Sequence, residues 1–279
     1  MTCGFTAISA AIGGRGPGRA RIGPLQPGHR RKVPAVTEPL YQRDAYLASF
    51  DAEVVGQHPD GVVLDRSAFF PGGGGQPADT GTISYQGTEL TVTGTARRDG
   101  ELVLLVSGGE PPATGSKISG RVDWERRYSL MRTHTALHML AGVIGRDHGA
   151  LVTGGNMEPL RARMDFELPS MSADFASAVE AALRREVEAD LPVHVSFLSP
   201  EEFAAKPELI RTKTNLLPPG LEVVRVIDIE GLDRQADGGT HVAHTGEVGD
   251  IHIVRHESKG KGNKRLRIAL DPSPAPEAR

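Results

Sequence analysis

Two short stretches of this chain carry metal-binding side chain types at a repeated spacing. In Arg132-Thr133-His134-Thr135-Ala136-Leu137-His138-Met139-Leu140, two histidines stand four residues apart among apolar neighbours. On a helix they share one face, one turn apart. Neutral imidazole is a common ligand of zinc-like ions, and such a pair supplies two ligands of a tetrahedral site. In Gln235-Ala236-Asp237-Gly238-Gly239-Thr240-His241, an oxygen ligand and a histidine recur at the same spacing, across two glycines that allow a tight loop. Each half alone has a plainer reading, a satisfied histidine pair or an ordinary turn. Together they predict one metal site, built from His134, His138, Asp237 and His241.

The elements that must position these residues follow from periodicity. A long helix is expected over Arg121 to Asp147, where Leu130, Leu137, Leu140, Val143 and Ile144 recur at helical spacing and Gly149 stands past the end. It carries both histidines. Ser172 is a candidate cap for a helix from Ala173 to about Asp190, and Pro200 opens a shorter one to about Arg211. Strands are expected over Arg161 to Leu168, Val193 to Leu198, Val223 to Ile229, Ile251 to His256 and Leu266 to Leu270. Helices packed on one face of a largely antiparallel sheet give an α+β domain over residues 121–272, with 273–279 as a tail.

Upstream, residues 38–120 alternate short apolar runs with turns. Ala52 to Val55, Gly61 to Leu64, Thr82 to Tyr85, Leu90 to Gly94, Leu102 to Val106 and Ile118 to Val122 read as strands of a small antiparallel β-barrel. Inside this part lies Phe70-Pro71-Gly72-Gly73-Gly74-Gly75-Gln76-Pro77. A glycine run leaves backbone amides bare, so a nucleic acid strand or another backbone can approach closely; its plainer reading is a flexible loop. Gln76 is the residue such a loop would present.

Composition sets the bounds. The 279 residues suffice for two modest domains, and 38% hydrophobic content with no long apolar run excludes a membrane helix. Cys3 is the single cysteine, so no intramolecular disulfide can form and no second thiolate is at hand for a metal. A net charge of -3 argues against a uniformly basic coat, but Lys259, Lys261, Lys264 and Arg265, interleaved with glycines, form a local basic loop suited to phosphates. Its plainer reading is a solvated hairpin tip. Residues 1–37 are rich in Gly, Pro and Arg without an acidic residue until Glu38, and are expected to be a disordered or leader segment. A soluble cytoplasmic monomer with no membrane and no disulfide-linked partner is the expectation.

Four motifs then carry a resemblance: LDRSAFFPGGGGQPADTG from Leu64, HTALH from His134, DGGTHVAHTGEVG from Asp237 and ESKGKGNKR from Glu257. In this order they are similar to the free-standing alanyl-tRNA editing proteins, called AlaX, relatives of the alanyl-tRNA synthetase editing domain. The likeness covers roughly Glu38 to Asp271 and resembles the medium-length class, which pairs an N-terminal barrel with an editing domain. It implies hydrolysis of the ester joining a wrong amino acid, chiefly serine and also glycine, to alanine tRNA. Mischarged alanine tRNA is the implied partner and one Zn2+ per chain the implied cofactor.

In the family, the metal is held by two histidines of HxxxH and by a cysteine and a histidine spaced CxxxH. His134, His138 and His241 match, and Asp237 stands where cysteine is usual. A carboxylate is a harder but competent zinc ligand. Direct ligation is the preferred expectation, with an orienting role for Asp237 as its rival. Gln76 matches the glutamine of the GGGQ motif and is expected to contact the tRNA end or the substrate carbonyl. Ser67 stands where the family tends to have threonine, and its hydroxyl is a candidate for the seryl side chain. Gly74, Gly75 and Thr240 are expected to bind substrate, and Lys259, Lys261, Lys264 and Arg265 to bind RNA. His244, three residues past His241, is expected to face away from the metal. Two rival functions stay open: a tRNA-binding zinc module without hydrolysis, and a deacylase for another charged tRNA such as seryl-tRNA(Thr).

Overall fold

The computed structural model describes residues 36–210 and 222–279. Apart from Val36 and Thr37, the leader expected upstream lies outside them, as does Arg211, where the helix opened by Pro200 was expected to end.

A two-residue strand, β1 (Glu38–Pro39), precedes β2 (Ser49–His58), β3 (Gly61–Leu64) and another short strand, β4 (Arg66–Ser67), which pairs in parallel with β1. Then come β5 (Gly81–Tyr85), β6 (Thr88–Arg98), β7 (Glu101–Ser107) and β8 (Lys117–Val122). Six of these close a barrel in the order β2-β3-β7-β6-β5-β8, antiparallel throughout. Closure leaves no free edge. Alternation along each strand sends Val54, Val62, Ile83, Leu90, Val92, Leu104 and Ile118 into a common core. The expected barrel is therefore present, with strands longer than their apolar runs because polar outward residues belong to them too.

The helix α1 (Trp124–His148) starts later than expected. Arg121 and Val122 belong to β8, pairing with Ser49 and Gly81, so the barrel continues past the boundary drawn at residue 120. Asp123 caps α1, accepting from Arg126 N, and Gly149 closes it in the left-handed conformation at φ 65°. From Leu130 to Ile144 the helix is buried on all sides, so it forms the centre of the second half rather than a surface layer.

Around α1 lie β9 (Val152–Glu158), β10 (Arg161–Phe166), α2 (Ala173–Glu188), β11 (Val193–Leu198), α3 (Pro200–Ala204), β12 (Val224–Ile229), β13 (Asp233–Ala236), β14 (Ile251–Ser258) and β15 (Lys264–Leu270). Ser172 caps α2 as expected, its Oγ accepting from Phe175 N. Short α3 ends at Ala204, because Pro207 disfavours helical backbone at Lys206. The single sheet expected here is two: β14-β15-β10-β9 and β11-β12-β13, both antiparallel. One continuous apolar core joins them to α1 and α2 through Leu137, Leu140, Ile144, Leu183, Phe166, Leu266, Ile268 and Ile229. The tail is docked: Arg279 exchanges backbone bonds with Tyr46 and Ala48, and Trp124 Nε1 donates to Pro276 O. Among the described residues no helix is long and apolar enough to cross a membrane.

The barrel and α1 are tied by a buried ion pair. Arg127 donates from Nε to Asp79 Oδ2 at 2.9 Å, from Nη1 to Ala45 O and from Nη2 to Ala68 O and Asp79. Asp79 Oδ2 also accepts from Phe70 N at 2.6 Å. This fixes the start of the glycine loop against the helix that carries the histidines.

Candidate metal centre

Helix α1 presents His134 and His138 from one face, and the loop after β13 brings Asp237 and His241 to them. One ligand atom from each of these four residues lies within 4.8 Å of the others. His134 Nε2 is 3.6 Å from Asp237 Oδ1, and His241 Nε2 is 3.1 Å from Asp237 Oδ2. The three imidazole rings pack at centroid distances of 4.3 to 5.1 Å. Four groups from separate parts of the chain thus converge as the spacing predicted.

Each histidine is held through its other nitrogen. His134 Nδ1 lies 3.0 Å from Gln76 Oε1, so a proton on Nδ1 donates there and leaves the Nε2 lone pair facing the cluster. His241 Nδ1 is 3.1 Å from Thr135 Oγ1. His138 Nδ1 is 3.3 Å from Asp233 Oδ2 and 3.2 Å from Gln235 Nε2, which itself donates to Asp233 at 2.6 Å. A carboxylate behind a ligand histidine fixes its tautomer and ring orientation.

Burial holds His134 neutral, its pKa pulled down to about 4, with the Asp237 charge opposing and His138 and Arg225 adding to the shift. Burial, with the neighbouring His134 and His138, likewise drives His241 well below the imidazole range. Burial would raise Asp237, but the surrounding histidines outweigh it and keep the carboxylate anionic. Neutral imidazoles beside a carboxylate are the protonation states that a divalent cation needs. The donor set of three nitrogens and one oxygen fits Zn2+.

The ligand loop is clamped by Arg225 on β12. This buried guanidinium donates from Nη1 to Asp237 O at 3.1 Å and Gly239 O at 2.8 Å, and from Nε to Gln42 O at 2.9 Å. Its Nη1 also lies 3.9 Å from Asp237 Oδ2. Asp237 Oδ2 accepts from Gly239 N at 2.6 Å, tightening the turn. Gly239 has no alternative: a Cβ there would lie 2.3 Å from His134 Cε1 and 2.7 Å from Gln76 Oε1. The need for glycine is close approach.

Other expected residues fare differently. Gln76 is buried and fully engaged, accepting from Thr240 N at 3.1 Å and donating to Thr240 Oγ1 at 2.8 Å. It therefore positions His134 and the ligand loop, and Thr240 is occupied by it. Gly74 stands open, with nothing within 4 Å of an added Cβ, whereas Gly75 (φ +92°) is seated on β9, its carbonyl accepting from Met157 N. Ser67 is buried and its Oγ accepts from Phe69 N at 3.1 Å, which closes a local turn; it makes no hydrogen bond to the histidines among the described residues. His244 faces away, 3.8 Å from Asp190.

The basic loop is only half free. Lys259 and Lys261 are exposed, but Lys264 is buried with Nζ donating to Gly260 O, and Arg265 forms a two-pronged pair with Asp165 at 2.6 and 2.8 Å. Alternation along β15 turns Lys264 inward. The sequence reading missed Thr135, Arg225, Asp233 and Gln235. The first three positions carried a signal only in hindsight, being polar residues within or beside apolar segments that end at the ligands.

Comparison with known proteins defines the class. Residues 224–267 match the family model described as Threonyl and Alanyl tRNA synthetase second additional domain, and residues 42–126 match tRNA synthetases class II (A). Along most of its length the chain is 36% identical to Alanyl-tRNA editing protein AlaX-M of Saccharolobus solfataricus, over 85% of this chain and 100% of that protein. The AlaX-M protein of Methanosarcina acetivorans is 35% identical over 84% and 99%. Alanine--tRNA ligase of Pyrobaculum neutrophilum is 38% identical over 87% of this chain but 28% of its own length. The chain belongs to the alanyl-tRNA editing proteins of the AlaX-M type.

Proposed function

We propose that this chain is a trans-editing hydrolase that deacylates seryl-tRNA(Ala), and glycyl-tRNA(Ala), by attack of water on the aminoacyl ester. A second hydrolytic site supplies the discrimination between small amino acids that binding alone provides poorly. The observation that carries the reading is the convergence of His134, His138, Asp237 and His241, each histidine oriented through Nδ1. These four residues would hold one Zn2+. When bound, the ion supplies Lewis acidity toward the ester carbonyl and lowers the pKa of water.

The chain's own groups do the rest. Gln76, Thr135 and Asp233 hold the imidazoles in the ligating tautomer, and Arg225 holds the loop that carries Asp237 and His241. Asp237 supplies the negative charge that the family's thiolate would. The glycine loop around Gly74, where an added Cβ would meet nothing within 4 Å, borders this centre through Gln76 and leaves room for the 3′ end of a tRNA. No described cysteine or serine is poised as a nucleophile at the centre, which favours direct water attack. The barrel, which runs to Val122, provides Gln76 and the glycine loop, and the chain from Asp123 onward provides the ligands.

The test is deacylation of seryl-tRNA(Ala) by purified protein as isolated, after chelation and after zinc is restored, with alanyl-tRNA(Ala) in parallel. Seryl ester hydrolysis that chelation abolishes and zinc restores is the expected result. Because the matching family model spans threonyl synthetases as well, seryl-tRNA(Thr) belongs in the panel. Preferential hydrolysis of it would reassign the substrate, and no hydrolysis of any ester would favour a tRNA-binding zinc module.

A further inference from the structure

The outer face of the sheet β14-β15-β10-β9 takes no part in the metal centre. Alternation sends Leu266, Ile268 and Leu270 of β15 into the core and leaves Arg265 and Arg267 on the opposite face. Register then aligns a row across all four strands: Asn156 pairs with Arg163, Arg163 with Arg267, and Arg267 with Arg255. Neighbouring strands are about 4.8 Å apart, so three arginines stand side by side. Like charges directly opposite one another are unfavourable in a sheet unless something of opposite charge lies over them.

The protein offsets only part of this charge. Glu257 Oε1 lies 3.1 Å from Arg255 Nε and 2.8 Å from Arg267 Nε. Asp165 is committed to Arg265 and lies 3.7 Å from Arg163 Nη1. Among the described residues, four guanidiniums therefore share two carboxylates. Both carboxylates are held below their usual range, Glu257 first by its bond from Arg267 and Asp165 first by that from Arg265, with Lys259 contributing to each. Lys259 thus belongs to the same positive face, and exposed Lys261 extends it. The Arg163, Arg267 and Arg255 side chains are 33, 41 and 69% exposed. This excess stands out on a chain whose net charge is -3.

We propose that this face binds the phosphate backbone of an RNA duplex, the arginine row lying under the backbone and Lys259 and Lys261 flanking it. The inference rests on the tRNA reading above and gives the acceptor stem a place to lie. Backbone contacts of this kind position a duplex without reading its bases. Location favours it: the row begins at Asn156 on β9, where Gly75 is seated, its carbonyl bonded to Met157 N and an added Cβ there only 3.2 Å from Gly155 O. A duplex on the row ends beside the glycine loop that leads to Gln76 and His134.

The test uses uncharged alanine tRNA and a short RNA duplex of its acceptor-stem sequence as probes, with binding measured across a salt series. The Arg163→Gln/Arg255→Gln/Arg267→Gln variant should bind both at least ~10-fold more weakly at low salt and lower the slope of log K against log salt by roughly two to three. A control with equal charge loss on the barrel, Arg66→Gln/Arg98→Gln/Lys117→Gln, should bind as the parent does, and circular dichroism should show both variants folded. Unchanged affinity and slope in the arginine variant, an equal loss in the control, or no binding of either probe by the parent would overturn the proposal. The single variant Arg255→Gln, at the most exposed position, should lose affinity in the same direction if the triple variant folds poorly. Ester hydrolysis by the parent is scored separately, so a parent that binds duplex RNA through this row but cleaves no ester would refute the editing reading and leave the surface standing.

Discussion

Gln76 Oε1 and His134 Nδ1 lie 3.0 Å apart, a contact that ties the barrel's glycine loop to the candidate metal centre. Its acceptor also takes the Thr240 amide, so one side-chain oxygen orients a ligand and fixes the loop of two others. Gln76→Leu should lower zinc affinity by roughly 10- to 100-fold, as loss of a partner behind a ligand histidine does. A competition titration against a chromophoric chelator reads this directly. Unchanged zinc affinity with lost hydrolysis would return Gln76 to the substrate-contact role read from its motif.

Asp237 separates ligation from orientation. Asp237→Ala should release the metal, whereas Asp237→Cys should retain it and, loaded with cobalt, gain a thiolate charge-transfer band that the parent lacks. Full metal occupancy in the alanine variant would show that the carboxylate is not a ligand.

The Arg127–Asp79 pair predicts a stability effect independent of metal. Arg127→Met leaves a buried carboxylate without its partner and should cost about 3–5 kcal/mol in urea unfolding. Replacing both residues with leucine should cost less than the two single changes added together.

Acid should weaken the metal-free protein through His134. Its pKa falls from 6.5 when unfolded to about 4 when folded, so the unfolded chain binds the extra proton between these values. Stability from this group is complete above 6.5 and declines as pH drops toward 4, by up to roughly 3 kcal/mol. In melts of the metal-free form between pH 7 and 5, His134→Gln should show a shallower decline than the parent. Equal slopes would mean that His134 is not held neutral.

The parts of this molecule that were legible in the sequence are those with local signals. Spacing alone brought His134 beside His138 and Asp237 beside His241, and helical periodicity put the first pair on α1. Ser172 and Gly149 marked helix ends because capping is a short-range interaction. Strand β9 was missed because Val152 to Glu158 contains two glycines and no clean alternation, and β13 because Asp233 to Ala236 is almost wholly polar. With those strands absent, two sheets read as one. Lys264 was read as exposed because its neighbours are charged, yet its place in the β15 alternation turns it inward. The groups behind the histidines were invisible for a different reason: Thr135, Asp233 and Arg225 gain their meaning only from tertiary contacts.

The residues that assemble the centre are spread along the chain from Gln76 to His241. During translation the site therefore cannot exist until most of the polypeptide has left the ribosome. A truncated or half-emerged product would carry individual histidines without the assembled four-residue cluster.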